Sequence, residues 1–405
     1  MDETIDNLLA ALAPALAAAF LAAIRNLRGG IDYDALIVAL RAGDVDAAIA
    51  ALNIDRGAFS KYMLERQSAF EQAGSEIAAE LTKQRAAALP KVDRSAPSIR
   101  SPILTPPEPE AAPIGPSGPI APAPPSPPTL SAPGGGNVVF RFDMTNPRAE
   151  AKIRTEAATR VAGYVDEQVE AARKVIADGF QRGDGPQNIA IDIAGRVNPI
   201  SGRREGGIVG LSDPQVGYVD NMRQRLHSGD PDEMMKVLGS FRDGAWVEGT
   251  GQTLRDRRYD RSIMKAIRDV AAGKPNPLTA DKVDEMAAKY ADRLLSRRAE
   301  DIARTETAQG VMAARAEATR QSLDKVGLSD SAVTKTWRHN GGVRHARDWH
   351  LHMNNKSVDG IDVPFHLPDG SVMQHSHDPD GGVKNNANCR CSTDFDIDWA
   401  FGLLG

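Results

Sequence analysis

Three observations predict a mainly α, multi-domain protein. Apolar residues recur at helical spacing through most of the first 330 positions, a proline-rich stretch interrupts that rhythm once, and the last seventy residues abandon it for histidine and cysteine. The breaks divide the chain into four segments. Residues 1–85 read as a helical docking domain and 86–139 as a flexible Pro/Gly-rich linker. Residues 140–327 read as a central helical region, and 328–405 as a small α/β unit carrying a metal site. At 405 residues with 41% apolar content, the chain is long enough for two or three cores.

The net charge of −5 excludes nucleic-acid binding driven by charge alone, because no segment is strongly basic. Residues 8–24 carry no charge, but an acidic stretch precedes them where a secretory signal would be basic. Leu9, Leu12, Leu16, Phe20 and Leu27 mark one helical face, so the expectation is a packed helix and no membrane anchor.

Gly29 and Gly30 stop this first helix, and further helices are expected over 33–42, 45–52 and from Phe59 to about residue 81. Fifteen of the 26 prolines fall within 90–133, a composition that cannot bury a core and reads as a semi-extended tether between two ordered halves. Residues 140–143 suggest a short strand, followed by a helix over 147–180 and a shorter one through Ile189 and Ile193. Asp213-Pro214 and Asp230-Pro231 each read as an N-cap followed by proline at the first helical position. Thr279 caps a long helix that ends at Gly327. Strand-like runs then appear at 333–337, 361–365 and 393–397.

Arg255, Arg257, Arg258 and Arg261 alternate with Asp256 and Asp260, and Arg344 and Arg347 flank a later turn. Such arginines either contact phosphate or pair internally to fix packing. The interleaved acids favour packing.

Seven of the eight histidines lie within 339–377, and both cysteines follow as Cys389-Arg390-Cys391. One intervening residue does not allow an easy, unstrained disulfide, so the thiols are expected to be free or metal-bound. Histidine and thiolate together suit zinc, which takes four such ligands. A turn at Arg390 would bring both sulfurs to one side. His375 and His377 share a face if extended, so either can complete the set.

From Ile302-Ala303-Arg304-Thr305-Glu306-Thr307 onward, the chain resembles the phage Mu F-like head morphogenesis family of minor head proteins. The Trp337 strand, Arg347-Asp348-Trp349-His350 (an R-x-x-H element), Val363-Pro364-Phe365 and Asn388-Cys389-Arg390-Cys391 follow in that family's order. Upstream, Phe142-Asp143 with Asn146-Pro147, Gly210-Leu211 with Gln215, and residues 255–260 also resemble it. The likeness spans about 140–395. Relatives often carry His-Pro directly before the N-C-R-C element, whereas here His375 and His377 lie at least twelve residues before Cys389.

The resemblance implies a virion component at the portal vertex or head interior, made in the host cytoplasm. It would meet portal, capsid or scaffold proteins and packaged DNA, and would have no settled catalytic activity. It also makes His350 the third zinc ligand. The alternative is a metal-dependent hydrolase or nuclease, with His350 as general base beside Asp348 and Cys389 or a metal-bound water as nucleophile.

Overall fold

Forty-seven residues of one helix, Ala280–Val326, form the axis of the molecule, about 70 Å long at ~1.5 Å per residue. Thr279 caps it by accepting from the Lys282 amide, and Gly327 closes it in the left-handed conformation at φ 71°. This computed structural model describes residues 3–88, 138–242, 245–248, 251–341 and 346–401, so the expected linker lies almost wholly outside the described residues.

Before the axis come α1 (Glu3–Gly30), α2 (Tyr33–Ala42), α3 (Val45–Ala51), α4 (Ser60–Ala88), α5 (Pro147–Arg182) and α6 (Pro186–Ala194). They are followed by α7 (Asp213–His227), α8 (Pro231–Leu238) and α9 (Asp260–Ala271), which makes the axis α10. Two antiparallel hairpins punctuate this region: β1 (Arg196–Val197) with β2 (Arg204–Glu205), and β3 (Gly239–Arg242) with β4 (Ala245–Glu248). After α10 come β5 (Val333–Arg338), α11 (Asp348–Met353), β6 (Ser357–Asp359), β7 (Phe365–His366), β8 (Val372–Met373), α12 (Gly382–Asn386) and β9 (Ser392–Ile397). The protein is thus mainly helical, with its sheet confined largely to the C-terminal end.

The helix signals hold well. Asp230 caps α8 with Pro231 behind it, as expected. At α7 the cap is Ser212, one residue earlier than expected, and Gln215 reaches back to the Ser212 amide to close a capping box. Residues 140–143 join no ladder, contrary to the expected strand. Two of their amides bond side chains instead: the Phe140 amide donates to Thr82 Oγ1 at 2.9 Å and the Asp143 amide to Gln321 Oε1 at 2.8 Å. Of the expected strand at 361–365, only Phe365 enters a ladder.

The N-terminal helices do not form a body of their own. Leu16, Phe20, Ile24, Leu36, Leu52 and Tyr62 share one buried core with Val161, Ile176, Val219, Met286, Leu294 and Ala303. A 3₁₀ turn (Arg56–Phe59) supplies Phe59, which stacks on Tyr164 of α5 at 6.0 Å, and Phe20 meets the same ring edge-on at 5.4 Å. Arg28, buried at the end of α1, donates to the Val209 carbonyl and pairs with Asp292 of α10 at 3.2 Å. Gly210, at φ +99°, lies where a side chain would strike Ile24 and Leu295, so α1 and α10 close over bare backbone there. The physical reason is the helical face itself: periodicity shows that a stripe is buried, and here its partner is α10.

At the centre of this junction lies Glu306, 4% exposed. Its carboxylate accepts from the Tyr62 and Tyr164 hydroxyls and pairs with Arg66 at 2.6 Å. Burial raises both phenols well above the tyrosine range, and the neighbouring Glu306 charge adds to it. Burial alone would lower Arg66, but Glu306, Tyr62 and Glu156 outweigh it and leave it raised.

The C-terminal unit builds a three-stranded antiparallel sheet in the order β6-β5-β9, with Arg338 opposite Ser392. Behind β5 a small core holds Trp337, Met353, Phe365, Leu367, Met373, Cys389 and Cys391. The unit is fastened to the helices by Trp399 stacked on Phe140 at 5.5 Å and by Phe395 packed with Leu323.

Candidate metal centre

Two short helices and one tight turn assemble the site. Arg347 precedes α11 and donates to the carbonyls of Lys384 and Ala387 at 2.6 and 2.7 Å, tying α11 to the end of α12. That tie delivers His350 to the turn after α12. Asn388 sits there in the left-handed conformation (φ 54°), and its amide oxygen accepts from Arg304 of α10 at 3.3 Å. The chain then reverses through Cys389-Arg390-Cys391, and the Cys391 amide donates to Cys389 Sγ at 3.3 Å. Both thiols are free, buried and on one side of the turn, as the spacing predicts.

The donor atoms of His350, Cys389 and Cys391 all lie within 4.8 Å of one another, and this buried group can hold a metal ion. His350 Nδ1 is 3.4 Å from Cys389 Sγ and 3.6 Å from Cys391 Sγ. Metal–sulfur and metal–nitrogen bonds of about 2.3 and 2.05 Å at a tetrahedral angle require a sulfur–nitrogen separation of about 3.6 Å. The spacing is that of ligands around one small ion. The hydrogen bond between the two thiols outweighs burial and holds Cys389 well below the usual thiol range. The same bond, with burial, pushes Cys391 far upward. A cation binds cysteine as thiolate, so occupation of this pair would release protons.

The tautomer of His350 is fixed from behind. Its Nε2 donates to Asn385 Oδ1 at 3.0 Å, which leaves Nδ1 with a free lone pair facing the sulfurs. Asn385 is fully buried, and its orientation is set in turn. Its oxygen also accepts from Trp349 Nε1 at 2.8 Å, and its amide donates to Ser371 Oγ at 2.9 Å and to the Gly381 carbonyl at 3.1 Å. Asp369 closes the network; burial would raise its carboxyl, but hydrogen bonds from Lys384 and Ser371 prevail and bring it to about 2. Asn385→Ala is therefore expected to weaken binding of a divalent cation about 10–100-fold, the usual cost of a lost outer-shell partner. Competition against a chromophoric chelator measures it, and unchanged affinity would mean that Asn385 only packs.

The other expected site residues fall elsewhere. His375 and His377 are buried but outside the ligand group: His375 Nδ1 bonds the Ser376 carbonyl at 2.8 Å, and His377 Nε2 bonds the Cys391 carbonyl at 3.0 Å. A left-handed backbone at His377 (φ 61°) breaks the extended geometry that would have put both on one face. Asp348 is exposed on the first turn of α11, and Asn385, not Asp348, orients His350, so the expected acid–base pair does not form.

Among the arginines, Arg255 is buried in a fork with Asp260 (2.9 Å), and Arg258 pairs with Asp256 (2.6 Å), which also receives Arg293. Packing claims these two. Arg257 and Arg261 are exposed, Arg347 binds carbonyls as above, and Arg344 lies outside the described residues. One feature carried no sequence signal: Lys335, fully buried beneath the sheet, donates to the Gln374 carbonyl at 2.7 Å, and burial lowers it to about 8.

A largely apolar cavity of about 740 Å³ opens beside the turn. Leu9, Ala13, Ala17 and Leu21 of α1 line one wall; Ala303 and Arg304 line another; Cys389, Cys391 and His377 close the end. α1 itself, from Ile5 to Gly30, is long and apolar enough to cross a membrane by length and composition, while its Leu16, Phe20, Ile24 and Leu27 are buried in the core. No family model, curated protein or solved structure matches the chain.

Proposed function

We propose that this chain is a minor head protein of a tailed phage, of the Mu F-like head-morphogenesis kind. It acts without catalysis at the portal vertex or head interior in capsid assembly and genome packaging or delivery. Its C-terminal unit is held together by one structural zinc ion on His350, Cys389 and Cys391. The observation that carries this reading is spatial convergence of the resembling motifs. Arg304 of the Arg304-Thr305-Glu306 run bonds Asn388, and the R-x-x-H histidine meets the N-C-R-C sulfurs. Glu306 of the same run ties α4, α5 and α10 together. Zinc is the metal of choice because two thiolates and an imidazole at tetrahedral spacing suit a borderline-soft ion.

Copurification of the full chain with the portal and major capsid proteins of its own phage tests the reading. Retention of the portal protein is expected, and retention of neither partner would end it. A second reading, a metal-dependent hydrolase carried in the head, is favoured by the apolar cavity against Cys389 and Cys391. It requires a coordination position left open toward that cavity.

A further inference from the structure

We propose that His339 is the fourth ligand and closes the metal site; the assignment rests on the metal reading above. The argument begins with sheet register. β5 and β9 run antiparallel with Arg338 opposite Ser392. Continuing that ladder by one residue sets His339 opposite Cys391, so the sheet itself delivers this imidazole to the second thiol. His339 Nδ1 lies 3.6 Å from Cys391 Sγ, the separation that His350 Nδ1 keeps from the same sulfur. Its backbone is held in place, since the His339 amide donates to Asn354 Oδ1 at 2.9 Å.

The competing histidines are less well placed. His377 is the nearest rival, being buried with an unpartnered Nδ1, but its Nε2 is committed to the Cys391 carbonyl. His375 is spent on Ser376, and His352 and His366 are exposed. His339 is half-buried and stands outside the group whose donor atoms lie mutually within 4.8 Å, so its ring would have to turn toward His350 for all four to share one ion. It comes from the side of a second, polar cavity lined by Arg315, Arg338 and Asp394. The completed set is two thiolates and two imidazoles, with no position left for water or substrate. A site closed in this way fastens β5, α11 and β9 to one point and performs no hydrolysis.

Cobalt(II) added to the metal-free full chain reports coordination number through its visible bands. The wild-type protein should give the intense spectrum of a four-coordinate site and should not respond to added thiocyanate. His339→Ala should lose at least about 100-fold in affinity, beyond the loss expected for an outer-shell partner, and its spectrum should become thiocyanate-sensitive. His377→Ala should keep the four-coordinate spectrum and its insensitivity to thiocyanate, with at most the loss of an outer-shell partner. His339→Cys should restore a closed site with stronger sulfur-to-cobalt absorption, which separates loss of a ligand from loss of folding. A thiocyanate-sensitive spectrum in His377→Ala but not in His339→Ala would overturn the assignment. So would a wild-type site that takes up thiocyanate, and that result would favour the hydrolase reading. Absence of any cobalt or zinc binding would remove the metal reading itself, and this assignment with it.

Discussion

Cys389→Ser is expected to loosen the C-terminal unit while the helical body remains folded, and chelation should do the same. The unit's own core behind β5 is seven residues, and its main sheet has strands of only three to six. A body that small depends on a staple. Structural zinc supplies about 10–16 kcal/mol in small metal-folded units, so loss of one thiolate should cost several kcal/mol. Amide exchange should rise first in β5 and β9, and then at the Trp399–Phe140 stack that joins the unit to α4. Elemental analysis should find about one zinc per chain. Less than about 0.2 metal per chain, together with exchange unchanged by chelator, would reduce these residues to ordinary packing.

The second large effect belongs to Glu306. Removing one partner of a buried ion pair typically costs about 3–5 kcal/mol, because the other charge stays buried and uncompensated. Glu306→Ala leaves Arg66 with Glu156 alone, at 3.5 Å, and strips two buried hydroxyls of their acceptor. Denaturant unfolding of the full chain should show a loss in that range. Glu306→Leu combined with Arg66→Met should recover much of it, since a buried pair replaced by apolar groups is often neutral. A loss under about 1 kcal/mol for Glu306→Ala would mean that aromatic packing, not this carboxylate, joins α4, α5 and α10.

Local chemistry was legible in the sequence. Capping residues such as Thr279 and Asp230 act on amides two or three positions away, so their helices were placed almost to the residue. Crowding of rare ligands into 339–391 announced the metal group, and a turn at Arg390 was the simplest way to bring two thiols together. What escaped was non-local. The proline-rich break suggested two bodies, whereas the stripe on α1 that reads as the face of a separate domain is buried against α10. Asn385 and His339 act across 35 and 52 residues respectively, through a histidine tautomer and a strand register that spacing does not encode. Asp348 was attractive only as a sequence neighbour of His350, and the turn of α11 carries it to the surface.

The Phe140–Thr82 hydrogen bond changes what the proline-rich segment means for the chain as a polymer. It ties the return of the chain to the last two turns of α4, the helix from which the segment departs. The described residues on the segment's two sides therefore pack against each other and do not belong to separate masses. Closing such a loop costs only ~0.6 kcal/mol for each doubling of its length. A cut within it would leave the two chain portions joined through the core they share.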